Sequence, residues 1–289
     1  MTDIASVKST VEIMKQFNIN PKKNYGQNFI IDANVIRNIV AKANITKNVN
    51  VIEIGPGIGA LTQYLALQAH KVLAIEIDTR LQDVLAYSLQ GFTNVKIIFD
   101  DFLKCDIEAY AREYFKDNKD LVVVANLPYY ITTPILIKLF TAATALNLTK
   151  IIAMMQKEVG QRLSAQVNTK DYNSLSILTQ YYCDTKIMMN ISKHIFIPQP
   201  KVDSVVIALT LKHERFNPSE ETLFLEVIRN LFKQRRKTIL NNLSSYLNNK
   251  ELSNKILQQL NIDPKLRPEN LTLENYRALS NCIKEHGDD

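Results

Sequence analysis

A glycine-rich turn preceded by an acidic residue is the first feature with chemical content. Glu53-Ile54-Gly55-Pro56-Gly57-Ile58-Gly59 follows an apolar run and opens a helix-like segment. Glycines in that context let the backbone approach a ligand closely. The spacing G-x-G-x-G differs from the G-x-G-x-x-G of dinucleotide sites, and a carboxylate in the turn disfavours phosphate. The turn therefore favours a ligand with a cationic group and no phosphate, and an ordinary strand-to-helix turn is the alternative.

Two further acidic residues follow the next two apolar runs. Glu76 ends the second run, about 20 residues after the turn, where a carboxylate can bind a ribose diol. Asp101 follows the third run, where it could accept a hydrogen bond from the adenine amino group of a cofactor; taken alone, it is more simply a solvated turn residue. Three acidic positions at successive strand ends favour a binding site. The pattern resembles the S-adenosylmethionine motif of Rossmann-like methyltransferases.

The tetrapeptide Asn126-Leu127-Pro128-Tyr129 follows the fourth apolar run, where open α/β sheets bind ligands. The Asn126 side-chain oxygen and the Leu127 carbonyl can accept the two protons of an exocyclic adenine amine, whose lone pair is otherwise delocalised into the ring. Pro128 biases Leu127 toward an extended conformation, and Tyr129 offers an aromatic face to a base. Its place behind the glycine turn favours methyl transfer by positioning. A plain turn is the alternative.

These motifs require a sheet that brings the strand ends together. Apolar runs bounded by turn residues predict strands at 49–54, 71–77, 95–99, 121–125 and 151–156, with helices between them at 60–68, 79–89, 107–114 and 134–143. This order predicts an α/β fold of the Rossmann-like class I methyltransferase type, with a mostly parallel sheet and helices on both faces.

The later part of the chain changes character. Residues 174–182 have a helical pattern, and residues 185–191 and 202–211 are extended, which predicts an antiparallel pair at the sheet edge. After residue 212 the pattern is helical only, at 220–233, 235–246, 250–260 and 273–283. We therefore predict a Rossmann-like S-adenosylmethionine-dependent methyltransferase domain over residues 1–212 and a small all-helical C-terminal domain over residues 213–289.

The composition is that of an ordinary globular protein, with 289 residues of which 46% are hydrophobic and 22% charged. No membrane-spanning run or export signal is present, and the three cysteines lack metal or disulfide spacing. We expect a cytoplasmic protein with no bound metal and no membrane association. The net charge of +6 permits a polyanionic partner without establishing one. The densest basic cluster is predicted on a helical stretch and comprises Arg229, Lys233, Arg235, Arg236 and Lys237.

From about residue 21 to the C-terminal helices, the chain resembles the KsgA/RsmA family of small-subunit ribosomal RNA adenine dimethyltransferases. Five motifs carry the resemblance: KKNYGQNF at 22–29, EIGPGIG at 53–59, NLPY at 126–129, FIPQPKVDS at 196–204 and KQRRKT at 233–238. Each alone is weak or moderate evidence, but together they are specific.

The resemblance implies roles for individual residues. Those that contact S-adenosylmethionine would be Asn28, Ile30, Gly55, Glu76, Asp101 and Asn126. Those that hold the target adenine would be Asn126, Leu127 and Tyr129, with Phe196 on its other face. From the residues alone, Phe196 reads as a core aromatic beside a proline-rich turn. The segment around Asn28 reads as the approach to a helix capped by Asp32.

The implied activity is four methyl transfers onto two adjacent adenosines in a hairpin near the 3′ end of 16S ribosomal RNA, by a monomer acting on an immature 30S subunit. Arg235, Arg236 and Lys237 are the implied phosphate contacts of the C-terminal domain, and a solvated basic face is the alternative. Three other functions stay open: a large-subunit dimethylase of the antibiotic-resistance type, a non-catalytic ribosome assembly factor, and a nicotinamide-dependent oxidoreductase.

Overall fold

A computed structural model describes residues 3–22, 25–117, 119–212 and 216–287. The chain forms two compact units: the first comprises Met1–Gly160 and Lys186–Leu211, and the second comprises Gln161–Thr185 and Lys212–Asp289. Residues 161–185 therefore group with the C-terminal helices. The domain start predicted at residue 213 falls outside the described ranges and stays a prediction.

The first unit is an alternating series of helices and strands. Its helices are α1 (Val7–Gln16), α2 (Ala33–Ala43), α3 (Ala60–Gln68), α4 (Gln82–Ser88), α5 (Ile107–Tyr114) and α6 (Thr132–Ala142). Its strands are β1 (Phe29–Ile30), β2 (Val49–Ile54), β3 (Lys71–Glu76), β4 (Val95–Phe99), β5 (Asp120–Asn126), β6 (Leu148–Gln156), β7 (Cys183–Ile191), β8 (Phe196–Ile197) and β9 (Ser204–Leu211). The strand β7 begins in the second unit and continues in the first.

Seven strands form one sheet in the order β4-β3-β2-β5-β6-β9-β7. The first five are parallel, whereas β9 is antiparallel to β6. The central strands are buried on both faces, which is why they are continuous apolar runs rather than alternating ones. The predicted Rossmann-like sheet with an antiparallel edge is therefore confirmed. The carboxyl ends of β2, β3, β4 and β5 lie at one edge.

Helix α2 illustrates how local sequence positions a layer of the core. Asp32 caps its first turn by accepting hydrogen bonds from the backbone N–H groups of Asn34 and Val35. Its apolar side chains recur at helical spacing and pack into the core, and Asn44 ends it in the left-handed conformation at φ 57°.

Three elements were not predicted: α1, the two-stranded sheet of β1 and β8, and helix α7 (Lys157–Leu163), which begins in the first unit and ends in the second. In the small sheet, Phe29 pairs with Ile197 and Ile30 pairs with Phe196. Its strands are too short to show a period. Within the described ranges, no helix is both long and apolar enough to cross a membrane.

The second unit contains α8 (Ser174–Tyr182), α9 (Pro218–Leu231), α10 (Ile239–Leu247), α11 (Lys250–Gln259) and α12 (Leu273–Gly287). Buried tyrosines fill its core: Tyr172 donates its hydroxyl to the Leu271 carbonyl at 3.1 Å, and Tyr276 donates to the Pro268 carbonyl at 2.8 Å. Hydrogen bonding satisfies these buried hydroxyls.

The helix predicted to begin at Arg235 is four residues shorter at that end. Thr238 is the N-cap of α10, because its side chain accepts a hydrogen bond from the Asn241 backbone N–H at 3.3 Å. Arg235, Arg236 and Lys237 therefore lie in the turn between α9 and α10 and not on a helix. Lys233, predicted in the preceding helix, also lies in this turn because α9 ends at Leu231, so the expectation of a helical basic cluster was wrong for all of its members except Arg229.

Candidate active site

A cavity lies at the carboxyl edge of the parallel strands. It brings together the glycine turn, the end of β3, the end of β5 and the segment before β1. Its lining comprises Tyr25, Gly26, Gln27, Asn28, Phe29, Ile30, Glu53, Gly55, Pro56, Gly57, Ile58, Ala60, Leu61, Glu76, Ile77, Asn126 and Pro128. Five of the six predicted cofactor residues are in this set: Asn28, Ile30, Gly55, Glu76 and Asn126.

The glycine turn needs its glycines for two different reasons. Gly55 has φ +71°, and a Cβ there would meet no atom within 4 Å, so the open space beside it belongs to the cavity. Gly57 has φ +60°, and a Cβ there would lie 3.1 Å from the ring of Phe29. Gly55 therefore leaves room for a ligand, whereas Gly57 leaves room for the ring of Phe29, which also lines the cavity.

The Glu76 carboxylate is held by backbone groups from two sides. Its Oε1 accepts the Asp78 N–H at 2.9 Å, and its Oε2 accepts the Gly57 N–H at 3.0 Å. Burial raises the pKa of Glu76 to about 7, against the opposing effect of these hydrogen bonds. Because a carboxylate oxygen has more than one lone pair, Glu76 can still accept hydroxyl hydrogen bonds from a ligand.

Glu53 is the most deeply buried acid of the cavity, at 1% exposure. Its Oε2 has no hydrogen-bond partner among the described residues. Burial raises the pKa of Glu53 to about 8, and the nearby Glu76 adds to the rise. A buried carboxyl oxygen without a hydrogen-bond partner is costly, so the site as built suits a ligand that brings a donor, or a cation that favours the ionised form of Glu53.

Asn126 ends β5 with its side chain at the cavity. Its Nδ2 donates a hydrogen bond to the Asn28 carbonyl at 3.1 Å, and its Oδ1 has no partner within the described part of the chain. Leu127 is fixed by its own N–H, which donates to the Met154 carbonyl at 2.9 Å, while its carbonyl accepts no bond from any described residue. Two acceptors on adjacent residues thus have no partner among the described residues; Asn126 lines the cavity, whereas Leu127 is 1% exposed and does not.

The two predicted aromatic contacts do not line the cavity. Tyr129 is partly buried, and its hydroxyl shares a hydrogen bond of 2.7 Å with the buried Ser204 hydroxyl. Burial raises the pKa of Tyr129. Phe196 is 2% exposed, pairs with Ile30 across the small sheet and packs in the core, as the core interpretation anticipated. Contact of either ring with a substrate stays a prediction.

Asp101 is also outside the set of residues that line the cavity. Its Oδ1 accepts the Leu103 N–H at 2.9 Å, and its Oδ2 lies 3.5 Å from the Lys104 ammonium. These contacts are those of a turn residue. Its proposed contact with the cofactor is a prediction that the geometry leaves open.

Sequence reasoning missed Gln27 and Asp78. The Gln27 Nε2 donates to the Asp78 Oδ2 at 2.9 Å, which joins a residue that lines the cavity to the connection after β3. Gln27 belongs to the 22–29 motif, of which Lys23 and Asn24 lie outside the described residues, and the motif alone gives its side chain no role. The available signal for Asp78 was its position two residues after Glu76, in front of a short helical turn capped by its side chain.

In the second unit, the three basic residues differ from one another. The Arg235 guanidinium donates hydrogen bonds to the carbonyls of Lys170 and Tyr172, at 3.4 and 3.2 Å. Arg236 and Lys237 are exposed, and their side chains have no described partner. Arg236 and Lys237 are therefore available to a polyanion, whereas Arg235 also supports the fold. Over the same described ranges, no cluster of His, Cys, Asp or Glu is arranged to hold a metal ion.

Comparisons with known proteins agree with this geometry. The chain matches the sequence model of the family described as "Ribosomal RNA adenine dimethylase" over residues 18–285. Proteins named "Ribosomal RNA small subunit methyltransferase A" from Bacillus mycoides (strain KBAB4) and Bacillus cereus (strain B4264) are each 47% identical to it over 292 residues, with 99% of both chains covered.

Two solved structures share its architecture. A dimethyladenosine transferase from Plasmodium falciparum has a TM-score of 0.74 and 26% identity, covering 89% of this chain and 98% of that one. The 23S rRNA methyltransferase ErmE has a TM-score of 0.65 over 89% of this chain and 100% of that one. At 23% identity, the likeness to ErmE concerns the fold alone.

Proposed function

The chain belongs to the ribosomal RNA adenine dimethylase family, and we propose that it dimethylates the N6 amino groups of two adjacent adenosines in a 3′-end hairpin of 16S ribosomal RNA. It acts in the cytoplasm, as a monomer, on an immature 30S subunit and so contributes to small-subunit biogenesis. The observation that carries the proposal is the pair of unpartnered acceptors on Asn126 and Leu127 at the end of β5, beside a cavity that contains two buried carboxylates.

The cavity fits S-adenosylmethionine. Gly55 leaves open space where any other residue would place a Cβ. Glu76 offers lone pairs to a ribose diol, and Glu53 has a buried oxygen that needs a cation or donor, such as the ammonium of an amino acid. When bound, S-adenosylmethionine supplies a methyl group carried on a positively charged sulfur.

The protein's part in the reaction is positioning. The Asn126 Oδ1 and the Leu127 carbonyl accept the two protons of the adenine amine, so the nitrogen lone pair turns out of the ring plane toward the methyl group. The hydrogen bonds from Asn126 to Asn28 and from Leu127 to Met154 fix both acceptors beforehand. Tyr129 stacks on the extruded base. The methylated nitrogen loses its proton readily, so no catalytic base is required.

Small-subunit RNA is favoured over large-subunit RNA by the relatives. Proteins named for the small subunit are 47% identical across the full chain, whereas ErmE shares 23%. The complete set of Asn126, Leu127 and the glycine turn argues against a purely structural assembly factor, although a role in assembly is compatible with catalysis.

The test uses immature small subunits and labelled S-adenosylmethionine. Wild-type protein should transfer label to two adjacent adenosines near the 3′ end of the RNA, and Asn126→Ala should not. A non-catalytic assembly factor would bind the subunit without transferring label in either sample. A nicotinamide-dependent oxidoreductase would be protected from heat by the nicotinamide dinucleotide and not by S-adenosylmethionine.

A further inference from the structure

The segment before β1 forms one wall of the cavity and has little structure of its own. Together with β1 it makes up residues 25–30, all of which line the cavity, and we call these residues the 25–30 wall. Only Phe29 and Ile30 of this wall are in a strand. Three contacts hold the C-terminal end of this wall. The strand β1 pairs with β8, the Ile31 N–H donates to the Ile195 carbonyl, and the Asn126 amide donates to the Asn28 carbonyl. The N-terminal end, before Asn28, depends on other contacts.

Gln27 holds the N-terminal end of the 25–30 wall through two hydrogen bonds of its side-chain amide. The Nε2 donates to the Asp78 Oδ2 at 2.9 Å, and the Oε1 accepts the Lys22 backbone N–H at 2.8 Å. The Gln27 side chain therefore stabilises the turn from Lys22 to Gln27 and links it to the connection after β3.

Asp78 is a strong anchor for this bond. Its side chain is 2% exposed, and Arg80 donates to it from Nε at 2.9 Å and from a terminal nitrogen at 2.6 Å. Burial alone would raise the pKa of Asp78, but the hydrogen bonds from Arg80 and Gln27 outweigh it and lower the pKa. The Gln27 amide thus donates to an ionised carboxylate, a stronger bond than one between neutral groups.

The same aspartate also bonds to a second residue that lines the cavity. Its backbone N–H donates to the Glu76 Oε1 at 2.9 Å. Asp78 therefore joins the wall that carries Gln27 to the carboxylate that faces the cofactor. We infer that Gln27, acting through Asp78, is a positioning residue that sets the affinity for S-adenosylmethionine by holding the 25–30 wall in place before the cofactor binds. This inference rests on the proposed function only for the identity of the ligand.

The experiment measures S-adenosylmethionine binding by calorimetry, without RNA. Gln27→Glu keeps the shape but replaces the donor with a carboxylate that faces Asp78. We expect its affinity to fall roughly 10- to 100-fold, the range of a lost hydrogen bond to a charged group. Gln27→Lys restores a donor to Asp78 and should bind more tightly than Gln27→Glu. Gln68→Glu makes the same chemical change at an exposed position on α3 and should match the wild type.

The direction of these effects excludes a general charge effect. S-adenosylmethionine carries a net positive charge, so an added carboxylate nearby would strengthen binding and an added lysine would weaken it if only long-range electrostatics acted. The positioning role predicts the opposite order. The KM of Gln27→Glu for S-adenosylmethionine should rise by a larger factor than its kcat falls, as expected of a residue that positions the cofactor wall and does not contact the reacting atoms.

Three outcomes would overturn the inference: equal affinities for Gln27→Glu and wild type, a weaker affinity for Gln27→Lys than for Gln27→Glu, or a fall in kcat with KM unchanged. If Gln27→Glu does not fold, Gln27→Ala removes the donor without adding charge and should also bind more weakly than wild type. Failure of the wild-type protein itself to bind S-adenosylmethionine would instead refute the proposed function.

Discussion

The Asn126 side-chain amide and the Asn28 backbone carbonyl are joined by a hydrogen bond of 3.1 Å across 98 positions of sequence. Because the amide nitrogen donates to Asn28, the orientation of the carboxamide is set, and its oxygen is the end left for a substrate. One bond thus links the wall of the cofactor cavity to the acceptor that we assign to the adenine.

Asn126→Asp should damage both functions of this residue. A carboxylate cannot donate to the Asn28 carbonyl, and two oxygens would face each other at a cost of about 1–3 kcal/mol. We expect weaker S-adenosylmethionine binding and loss of methyl transfer, measured by calorimetry and by label incorporation. Unchanged cofactor affinity would show that the bond to Asn28 has no part in shaping the cavity.

Tyr129→Ala should lower methyl transfer far more than cofactor affinity, because a stacked base loses about 1–3 kcal/mol without the ring. Tyr129→Phe is the matched control, since it keeps the ring and removes only the hydrogen bond to Ser204. We expect Tyr129→Phe to retain most of the transfer rate and to lose about 1 kcal/mol of stability. Equal losses of transfer and cofactor binding in Tyr129→Ala would contradict its assignment to the adenine.

Gly55→Ala should weaken S-adenosylmethionine binding by more than it weakens the fold. The new Cβ points into open space, so it meets the ligand and not the protein, and the positive φ costs roughly 1–2 kcal/mol. Gly91→Ala controls for the backbone cost, because Gly91 has φ +92°, is also open to space and does not line the cavity. If Gly55→Ala and Gly91→Ala bind S-adenosylmethionine with similar affinity, Gly55 does not contact the ligand.

Glu53→Gln should change how stability depends on pH. In the folded protein the pKa of Glu53 is about 8 and that of Glu76 about 7, both above their ordinary value of 4.5. The unfolded chain therefore releases these protons at lower pH, so the free energy of unfolding of the ligand-free protein falls as the pH rises from about 5 to 8. Each tenfold difference in proton affinity is worth about 1.4 kcal/mol.

Urea unfolding across that pH range measures this dependence. Glu53→Gln should flatten the decline, since an amide does not titrate. Glu12→Gln makes the same change at an exposed position and is the control. If the free energy of unfolding falls equally with pH in Glu53→Gln and in wild type, Glu53 does not cause the pH dependence.

Neutralising Arg236 and Lys237 together should weaken binding to ribosomal RNA without destabilising the second unit, because neither side chain has a described partner. The slope of binding against salt concentration should become shallower by about 0.7–0.9 for each lost phosphate contact. Arg235→Gln should also lower the melting temperature, since it removes the bonds to the Lys170 and Tyr172 carbonyls. Lys250→Gln, at an exposed position on α11, is the control. If RNA affinity depends on salt concentration equally in the double variant and in this control, Arg236 and Lys237 do not contact RNA phosphates.

The sequence predicts well those elements whose own residues determine them. The bounds of β2, β4, α3 and α5 are as predicted, because each is an apolar run or helical pattern ended by turn residues. The elements β1 and β8 have two residues each, and only their mutual pairing makes them strands. Helix α1 had a local signal that was overlooked, since Ser6 accepts a hydrogen bond from the Ser9 N–H as an N-cap.

The site divides in the same way. Glu53, Gly55, Glu76 and Asn126 could be grouped in advance, because the carboxyl ends of parallel strands meet at one edge. The bond between Gln27 and Asp78 joins residues 51 positions apart, and no periodicity pairs them. Asp101 follows a strand end, as predicted, and its carboxylate accepts a hydrogen bond within its own turn, so its contact with a cofactor stays a prediction.

The pairing of Phe29 and Ile30 with Phe196 and Ile197 has a consequence for how the protein is made. A ribosome translates the first partner early and the second only after most of the strands of the large sheet. A nascent polypeptide that ends between Asn126 and Phe196 contains the glycine turn and Asn126 but lacks the strand β8 that pairs with the wall beside them. Newly synthesised protein should therefore become competent for its cofactor late in translation.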